Sequence, residues 1–283
     1  MGRFDGILIC TDLDGTLFRK DKSISNENRE AIEYFKREGG YFTFITGRLP
    51  YYSVAAFDAV KPNAPFGCIN GGGVYDGTEK RYVWALTIPR EAVELVECID
   101  RKFPEVGIQV CTLNNTYFAK ESEIMPEFRR LTGLPNLTCD YRENMDSVAK
   151  YLFVTTREDY MAAIEKTLLL HPRAEEFTFV RSESYLFEIL PKGVHKGLAL
   201  AKIVEHLKLD LKKTIAIGDF DNDVGMLREA GVGVAVANAS EKAKAAADII
   251  TVSNEEHAIA RVIRDLDSGK IVFDNIVKVN RFD

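Results

Sequence analysis

Two aspartates, Asp12 and Asp14, stand one residue apart in the stretch CTDLDGTLF (10–18), after a run of strand formers and before Gly15 and Thr16. Like charges so close repel, so the spacing calls for something positive beside them. Along a strand, residues i and i+2 point the same way. Asp12 can therefore face a reacting phosphorus while Asp14, just past the strand end, reaches the leaving oxygen. A carboxylate nucleophile divides phosphate-ester hydrolysis into two steps through an aspartyl phosphate. A second carboxyl group can serve as acid in the first step and base in the second. Gly15 permits the tight turn this needs, and the Thr16 hydroxyl can steady the loop or the surroundings of a metal.

Three further stretches supply the positive partners and more carboxylates: Thr46–Gly47–Arg48, Lys196 at a helix start, and Gly218–Asp219–Phe220–Asp221–Asn222–Asp223. Asp12, Asp14, Asp219 and Asp223 would bring four negative charges together, against Lys196 and Arg48. At about 4 Å, two unit charges interact by roughly 4 kcal/mol at an effective dielectric of about 20. Such a cluster takes up protons or binds a hard cation, and an all-oxygen donor set without His or Cys selects Mg²⁺. Thr46 offers a hydroxyl and a backbone N–H to a phosphate oxygen, and Gly47 lets that backbone come close. Lys196 offers a compact charge to Asp12 and to phosphate, at a helix N-terminus that adds its own positive end. Taken singly, each stretch has an ordinary structural reading: a polar loop, a surface lysine, an acidic turn that caps a helix through Asn222 or Asp223.

What unites the stretches is the pattern of elements before them. GILICT (6–11), YFTFIT (41–46), FGCIN (66–70), TIAIGD (214–219), VGVAVA (232–237) and DIIT (248–251) read as short buried strands. Helical segments separate them, among them SNENREAIEYFKREGG, KGLALAKIVEHLKL and DVGMLREAG. Strand–helix alternation implies an α/β fold with a Rossmann-like parallel sheet. Ligands bind at the carboxyl ends of such strands, where all four stretches would meet. Between about Arg81 and Ile189 the pattern changes to paired strands with intervening helices. Hairpins are expected around Asn114 and Ser182–Ser184. The expected organisation is a catalytic core of 1–82 and 190–283 interrupted by an inserted α+β cap at 83–189, with hinges near 82–88 and 189–194.

Composition narrows the partners. The 283 residues are 46% hydrophobic and 28% charged, with a formal net charge of −6. That suits a globular protein and carries no basic footprint for nucleic acid. No apolar run approaches the roughly 20 residues that span a bilayer, and the N-terminus lacks the apolar core of a signal peptide. Five scattered cysteines, odd in number and without C-x-x-C, argue against disulfides and a cysteine zinc site and for a reducing, cytoplasmic setting. The expected partner is a small phosphorylated metabolite. The alternating apolar–polar tail 268–283 could pair with a sheet edge, which leaves monomer and weak homodimer open.

The order DLDGT, ITGR, K-G before a helix and GDxxND resembles the haloacid dehalogenase-like (HAD) superfamily of aspartate-dependent phosphatases. The insertion after NGGGVYDG, and the late stretch GVAVANASEKAKAAADIIT, resemble its Cof-type sugar-phosphatase branch, subfamily IIB. The resemblance covers about 1–255. It implies that Asp12 is nucleophile, Asp14 acid and base, and that Thr46 and Lys196 bind phosphate. It also implies that Asp12, Asp219 and the Asp14 carbonyl ligate Mg²⁺, that Asn222 contacts phosphate, and that Asp223 is a metal ligand or supports one. The pattern departs from the family after TVSNEE, where His257 and Ala258 replace a Gly-Val step. A phosphomutase using the same aspartyl chemistry is the nearest rival. A receiver-like phospho-aspartate signalling protein is a rival of another class, but it needs neither D-x-D nor the insertion.

Overall fold

The computed structural model describes residues 2–143 and 145–273. The chain forms two compact units, one from the residues up to Ala85 together with those from His195 onward, the other Leu86–Val194.

In the first unit, β1 (Leu8–Thr11) is buried on every residue, as a central parallel strand must be. Helix α1 (Asn26–Arg37) follows, its N-terminus capped by the Ser25 side chain on the Asn28 N–H, with Ile32 and Phe35 buried. Then come β2 (Tyr41–Phe44), α2 (Val54–Val60), β3 (Phe66–Cys68), β4 (Gly73–Asp76) and β5 (Arg81–Ala85). The second unit holds α3 (Ala92–Lys102), β6 (Gly107–Thr112), β7 (Thr116–Lys120), α4 (Met125–Thr132), β8 (Leu137–Thr138), β9 (Val148–Val154), α5 (Glu158–Leu169), β10 (Phe177–Glu183) and β11 (Leu186–Pro191). The chain returns to the first unit with α6 (Lys196–Leu207), β12 (Thr214–Gly218), α7 (Val224–Glu229), β13 (Val232–Ala235), α8 (Glu241–Ala246), β14 (Ile249–Ile250) and α9 (Ala258–Asp267).

The main sheet of the first unit has the order β14-β13-β12-β1-β2, and every pairing is parallel. β1 lies between β12 and β2, so the ends of three adjacent strands converge where Asp12, Thr46 and Asp219 follow. Helices α1 and α9 are joined where the Asn28 side chain accepts the Ala260 N–H at 2.9 Å. Alpha-helix α9 buries Ile259, Val262, Ile263 and Leu266 on one face.

FGCIN does not extend the parallel sheet as expected. β3 pairs antiparallel with β4, and β4 with β5, in a separate three-stranded sheet joined to the main one by a single Ile45–Gly67 bridge. The reason lies in the next residues. Ile69, Asn70 and Gly71 all have positive φ, so the chain reverses at once and returns as β4.

The second unit is a six-stranded sheet in the order β10-β11-β9-β6-β7-β8, antiparallel except for the β7–β8 pair. Both expected hairpins are present, β6–β7 around Asn114 and β10–β11 around Ser184. One sheet face packs Val110, Tyr151, Phe153, Phe187 and Ile189 against Leu95, Ile99, Ile164 and Leu168 of α3 and α5. The end of the tail expected to pair with a sheet edge, 274–283, lies outside the described residues.

Candidate active site

β1 delivers Asp12 to the strand-end edge of the main sheet. The Asp12 N–H donates to the Ile217 carbonyl at 2.8 Å, so pairing with β12 continues one residue beyond the strand and fixes where the side chain starts. Asp12 is 8% exposed. Beside it Lys196, the first residue of α6, is 1% exposed and donates from Nζ to Asp12 Oδ1 at 2.6 Å and to Asp223 Oδ1 at 2.5 Å. The second oxygen of Asp223 accepts the N–H groups of Asp219 and Phe220 at 2.8 and 3.0 Å, closing the turn after β12.

Asp219 is aimed by the D-x-D loop. The Thr16 hydroxyl donates to its Oδ1 at 2.6 Å. Gly15 lies at φ +83°, and a Cβ there would sit 2.4 Å from Asp219 Oδ2. Glycine is thus required twice, for the turn and for the carboxylate behind it. One oxygen from each of Asp12, Asp219 and Asp223 falls within 4.8 Å of the others.

Burial works against the Lys196 ammonium, but Asp12 and Asp223 outweigh it and hold its pKa above the ordinary lysine value. Burial pushes the Asp12 carboxyl well up; Lys196 opposes this, while Asp223 and Asp219 add to it. Three carboxylates gathered beside one ammonium make an all-oxygen donor set, which suits a hard divalent cation. Both Asp223 oxygens accept hydrogen bonds, one from Lys196 and the other from the Asp219 and Phe220 N–H groups.

Asp14 lies on the same loop but in a different field. Arg48 Nη2 donates to its Oδ2 at 2.7 Å, and Lys22 Nζ to its Oδ1 at 2.8 Å. Burial would raise the Asp14 pKa, yet Arg48 and Lys22 overcome it and hold the carboxyl below its ordinary range. Arg48 in turn packs over the Tyr52 ring, 5.0 Å from its centroid. The residue expected to serve substrate is therefore engaged with Asp14.

The turn after β2 departs from expectation in one respect. The Thr46 N–H does not point to a ligand; it donates to the Gly67 carbonyl at 3.0 Å, within the bridge that joins the two sheets. The Thr46 hydroxyl accepts the Arg48 N–H at 3.3 Å and keeps its own proton to donate. Gly47 packs against the Asn70 side chain, which a Cβ at 47 would meet at 2.9 Å. Asn222 donates from Nδ2 to Asn70 Oδ1 at 3.0 Å.

All of Asp12, Asp14, Thr46, Gly47, Arg48, Lys196, Asp219, Asn222 and Asp223 lie in the first unit, on the loops that follow β1, β2 and β12 or at the start of α6. Sequence reasoning missed Lys22, and also Asn238, whose Nδ2 donates to the Gly15 carbonyl at 2.8 Å while its Oδ1 accepts the Asn254 N–H at 3.0 Å. Asn238 is visible in the sequence only as the start of N-A-S, a pattern that says nothing of a brace on the D-x-D loop. Lys22 sits in an ordinary charged run, RKDK.

Residues 9–263 match the haloacid dehalogenase-like hydrolase family. The chain belongs to the haloacid dehalogenase-like hydrolases. YitU of Bacillus subtilis, a 5-amino-6-(5-phospho-D-ribitylamino)uracil phosphatase, is 28% identical over 263 residues, covering 91% of this chain and 96% of YitU. A haloacid dehalogenase-like hydrolase from Bacteroides thetaiotaomicron is 27% identical, with a TM-score of 0.79 over 92% of this chain and 99% of that one. The HAD subclass IIB sugar phosphatase BT4131 shares the fold at a TM-score of 0.80 and 23% identity, over 92% of this chain and 99% of its own. This HAD-like hydrolase is accordingly an enzyme of the phosphatase type.

Proposed function

We propose that the enzyme hydrolyses small phosphorylated metabolites, sugar phosphates foremost, through an aspartyl phosphate on Asp12, with Mg²⁺ as cofactor. The observation that carries this reading is the buried Lys196 ammonium between Asp12 and Asp223, at a strand-end edge where Asp219 brings a third carboxylate within 4.8 Å.

Asp12 Oδ1 is held by Lys196, whereas its Oδ2 accepts no hydrogen bond among the described residues. Oδ2 is the oxygen that attacks phosphorus, forming the acyl-phosphate bond as the P–O ester bond breaks. The departing alkoxide takes a proton from Asp14. Water then attacks the same phosphorus, giving its proton to Asp14, and inorganic phosphate leaves with Asp12 restored. In the free enzyme Asp14 is held as the carboxylate by Arg48 and Lys22. An incoming phosphate dianion competes for those two cations, and Asp14 can take up its proton as they turn to substrate.

Lys196, the Thr46 hydroxyl, Arg48 and Asn222 bind the phosphoryl oxygens. Asp12, Asp219 and the Asp14 carbonyl would hold Mg²⁺, with Asp223 fixing Lys196 and the turn after β12. When bound, the ion supplies charge neutralisation of the phosphoryl oxygens. The second unit, Leu86–Val194, sets the choice of leaving group. The protein works in the cytoplasm as a monomer or weak homodimer.

A panel of phosphorylated metabolites tests this reading, with sugar phosphates and 5-amino-6-(5-phospho-D-ribitylamino)uracil, the compound that YitU's name carries. Each is assayed with Mg²⁺ and after chelation. Mg²⁺-dependent release of phosphate from a subset is the expected result. No release from any, or full release by metal-free enzyme, contradicts it.

A further inference from the structure

The turn between β3 and β4 has a backbone that its sequence does not favour. Ile69 has φ +58°, Asn70 φ +52° and Gly71 φ +102°. A β-branched residue in the left-handed region is a genuine outlier, and such strain persists where the surroundings over-determine it. Here they do. The Ile69 N–H donates to the Arg48 carbonyl at 3.0 Å and the Asn70 N–H to the Thr46 carbonyl at 3.1 Å. Two consecutive residues of the turn are thus sewn to the two ends of Thr46–Gly47–Arg48.

The side chain this conformation presents is Asn70, 1% exposed. Its Oδ1 accepts from Asn222 Nδ2 at 3.0 Å, and its amide lies against Gly47, where a Cβ would come within 2.9 Å of Oδ1 and 3.1 Å of Nδ2. Thr46–Arg48 follows β2 and Asn222 follows β12, the two strands that flank β1. Asn70 therefore joins loops from both sides of the strand that carries Asp12. This packing requires glycine at 47.

We propose that Asn70 is a positioning residue for phosphoryl transfer: through its side-chain amide it holds Asn222 and the Thr46–Arg48 turn at one spacing before substrate arrives. The inference rests on the phosphatase reading above and assigns a task to a residue that reading leaves without one. It also accounts for the strain. An Asn at a left-handed position costs less than most residues and carries an amide, whereas a glycine would fit the backbone better and could not reach Asn222.

The test compares Asn70→Gly, Asn222→Ala and the double variant with wild type. The measurements are thermal midpoint, kcat and KM for p-nitrophenyl phosphate, and inhibition by inorganic phosphate. Wild type must first turn over the aryl phosphate; if it does not, the phosphatase reading falls, and this inference with it. With an active wild type, Asn70→Gly should still fold, because glycine suits positive φ, with a thermal midpoint lowered only by loss of the buried amide contacts. It should lose about 10- to 100-fold in kcat/KM, the scale of a misplaced binding group, and bind inorganic phosphate more weakly. The losses at 70 and 222 should overlap, so that the double variant is little worse than the poorer single one. An Asn70→Gly enzyme within 3-fold of wild type, or losses that multiply in the double variant, overturns the proposal. Should Asn70→Gly fold poorly, Asn70→Asp carries the test, since Asp also tolerates left-handed backbone. The buried charge should lower the thermal midpoint, and in the folded enzyme it should raise KM at least 10-fold; an unchanged KM overturns the proposal.

Discussion

Each unit of this hydrolase buries a lysine on a carboxylate, and the two sites differ in everything else. In the second unit Lys150 Nζ meets Glu188 Oε2 at 2.8 Å, and the Ser182 hydroxyl donates to the other Glu188 oxygen at 2.6 Å. The pair joins adjacent antiparallel strands, β9 and β11. In the first unit one ammonium faces Asp12 and Asp223 with Asp219 beside them, at the open end of parallel strands. A buried lysine is therefore not in itself the mark of a site. The gathering of three carboxylates within 4.8 Å of one another at a strand-end edge is, because such an all-oxygen set suits a hard cation.

The comparison is broken most easily at Lys196. Lys196→Ala should lower kcat/KM for p-nitrophenyl phosphate by about 10³-fold or more, as expected where a preorganised charge at a reacting phosphoryl group is removed. A loss under 10-fold in steady-state assay would put the two lysines in the same class.

Metal linkage sharpens the same contrast. Saturating Mg²⁺, at about 100 times its dissociation constant, should stabilise wild type by about 2.7 kcal/mol in thermal or urea unfolding. Asp219→Asn should abolish most of that gain, and Glu188→Gln should leave it intact. An equal Mg²⁺ response in Asp219→Asn and wild type would remove Asp219 from the metal site.

The pair in the second unit should matter to folding instead. Lys150→Met leaves a buried carboxylate without its ammonium and should cost about 3–5 kcal/mol of stability. Lys150→Met with Glu188→Leu should recover much of that. Turnover of p-nitrophenyl phosphate, whose leaving group needs little recognition, should stay within about 3-fold of wild type wherever the variants fold. A loss as large as that of Lys196→Ala would make Lys150 part of the catalytic machinery.

The smallest expected effect is at Asp100, also in the second unit, whose carboxylate accepts from Lys120 at 2.6 Å and from the Tyr141 hydroxyl at 2.5 Å. Burial opposes its ionisation, but these hydrogen bonds, with the charges of Lys120 and Arg142, hold its pKa below the ordinary value. A carboxyl lowered on folding contributes stability that is fully present above its unfolded pKa, about 3.9, and is lost as pH falls through the folded value. Asp100→Asn should thus have a lower thermal midpoint than wild type near neutrality, with the difference shrinking below about pH 4. A difference that stays constant through that range would assign the effect to packing.

The sequence made the strand-end aspartates legible because periodicity and spacing carry them: a buried strand followed by D-x-D, another followed by G-D, a third followed by T-G-R. It also made the change of sheet type legible, since hairpin signals at Asn114 and Ser184 are local. What could not be read was every contact set by distant backbone. The Thr46 N–H is consumed by Gly67, twenty-one residues away, in a bridge that no local pattern announces. Lys22 reaches Asp14 only because the chain between them turns back, and Asn238 braces Gly15 from across the sheet. β3 leaves the parallel sheet because Ile69 adopts a left-handed conformation, which residue preference argues against.

The division of labour between Asp12 and Asp14 is the claim on which the catalytic reading depends most, and rapid-quench trapping tests it directly. Asp14→Asn is mixed with p-nitrophenyl phosphate and Mg²⁺, quenched in acid, digested and mapped by mass spectrometry. Nitrophenolate leaves without a proton, so the first step should survive, while the second lacks its base and slows by about 10²–10⁴-fold. A burst of nitrophenolate with the phosphoryl group on Asp12 is the predicted result. No burst and no phosphoenzyme, or a phosphoryl group on any other residue, would contradict it.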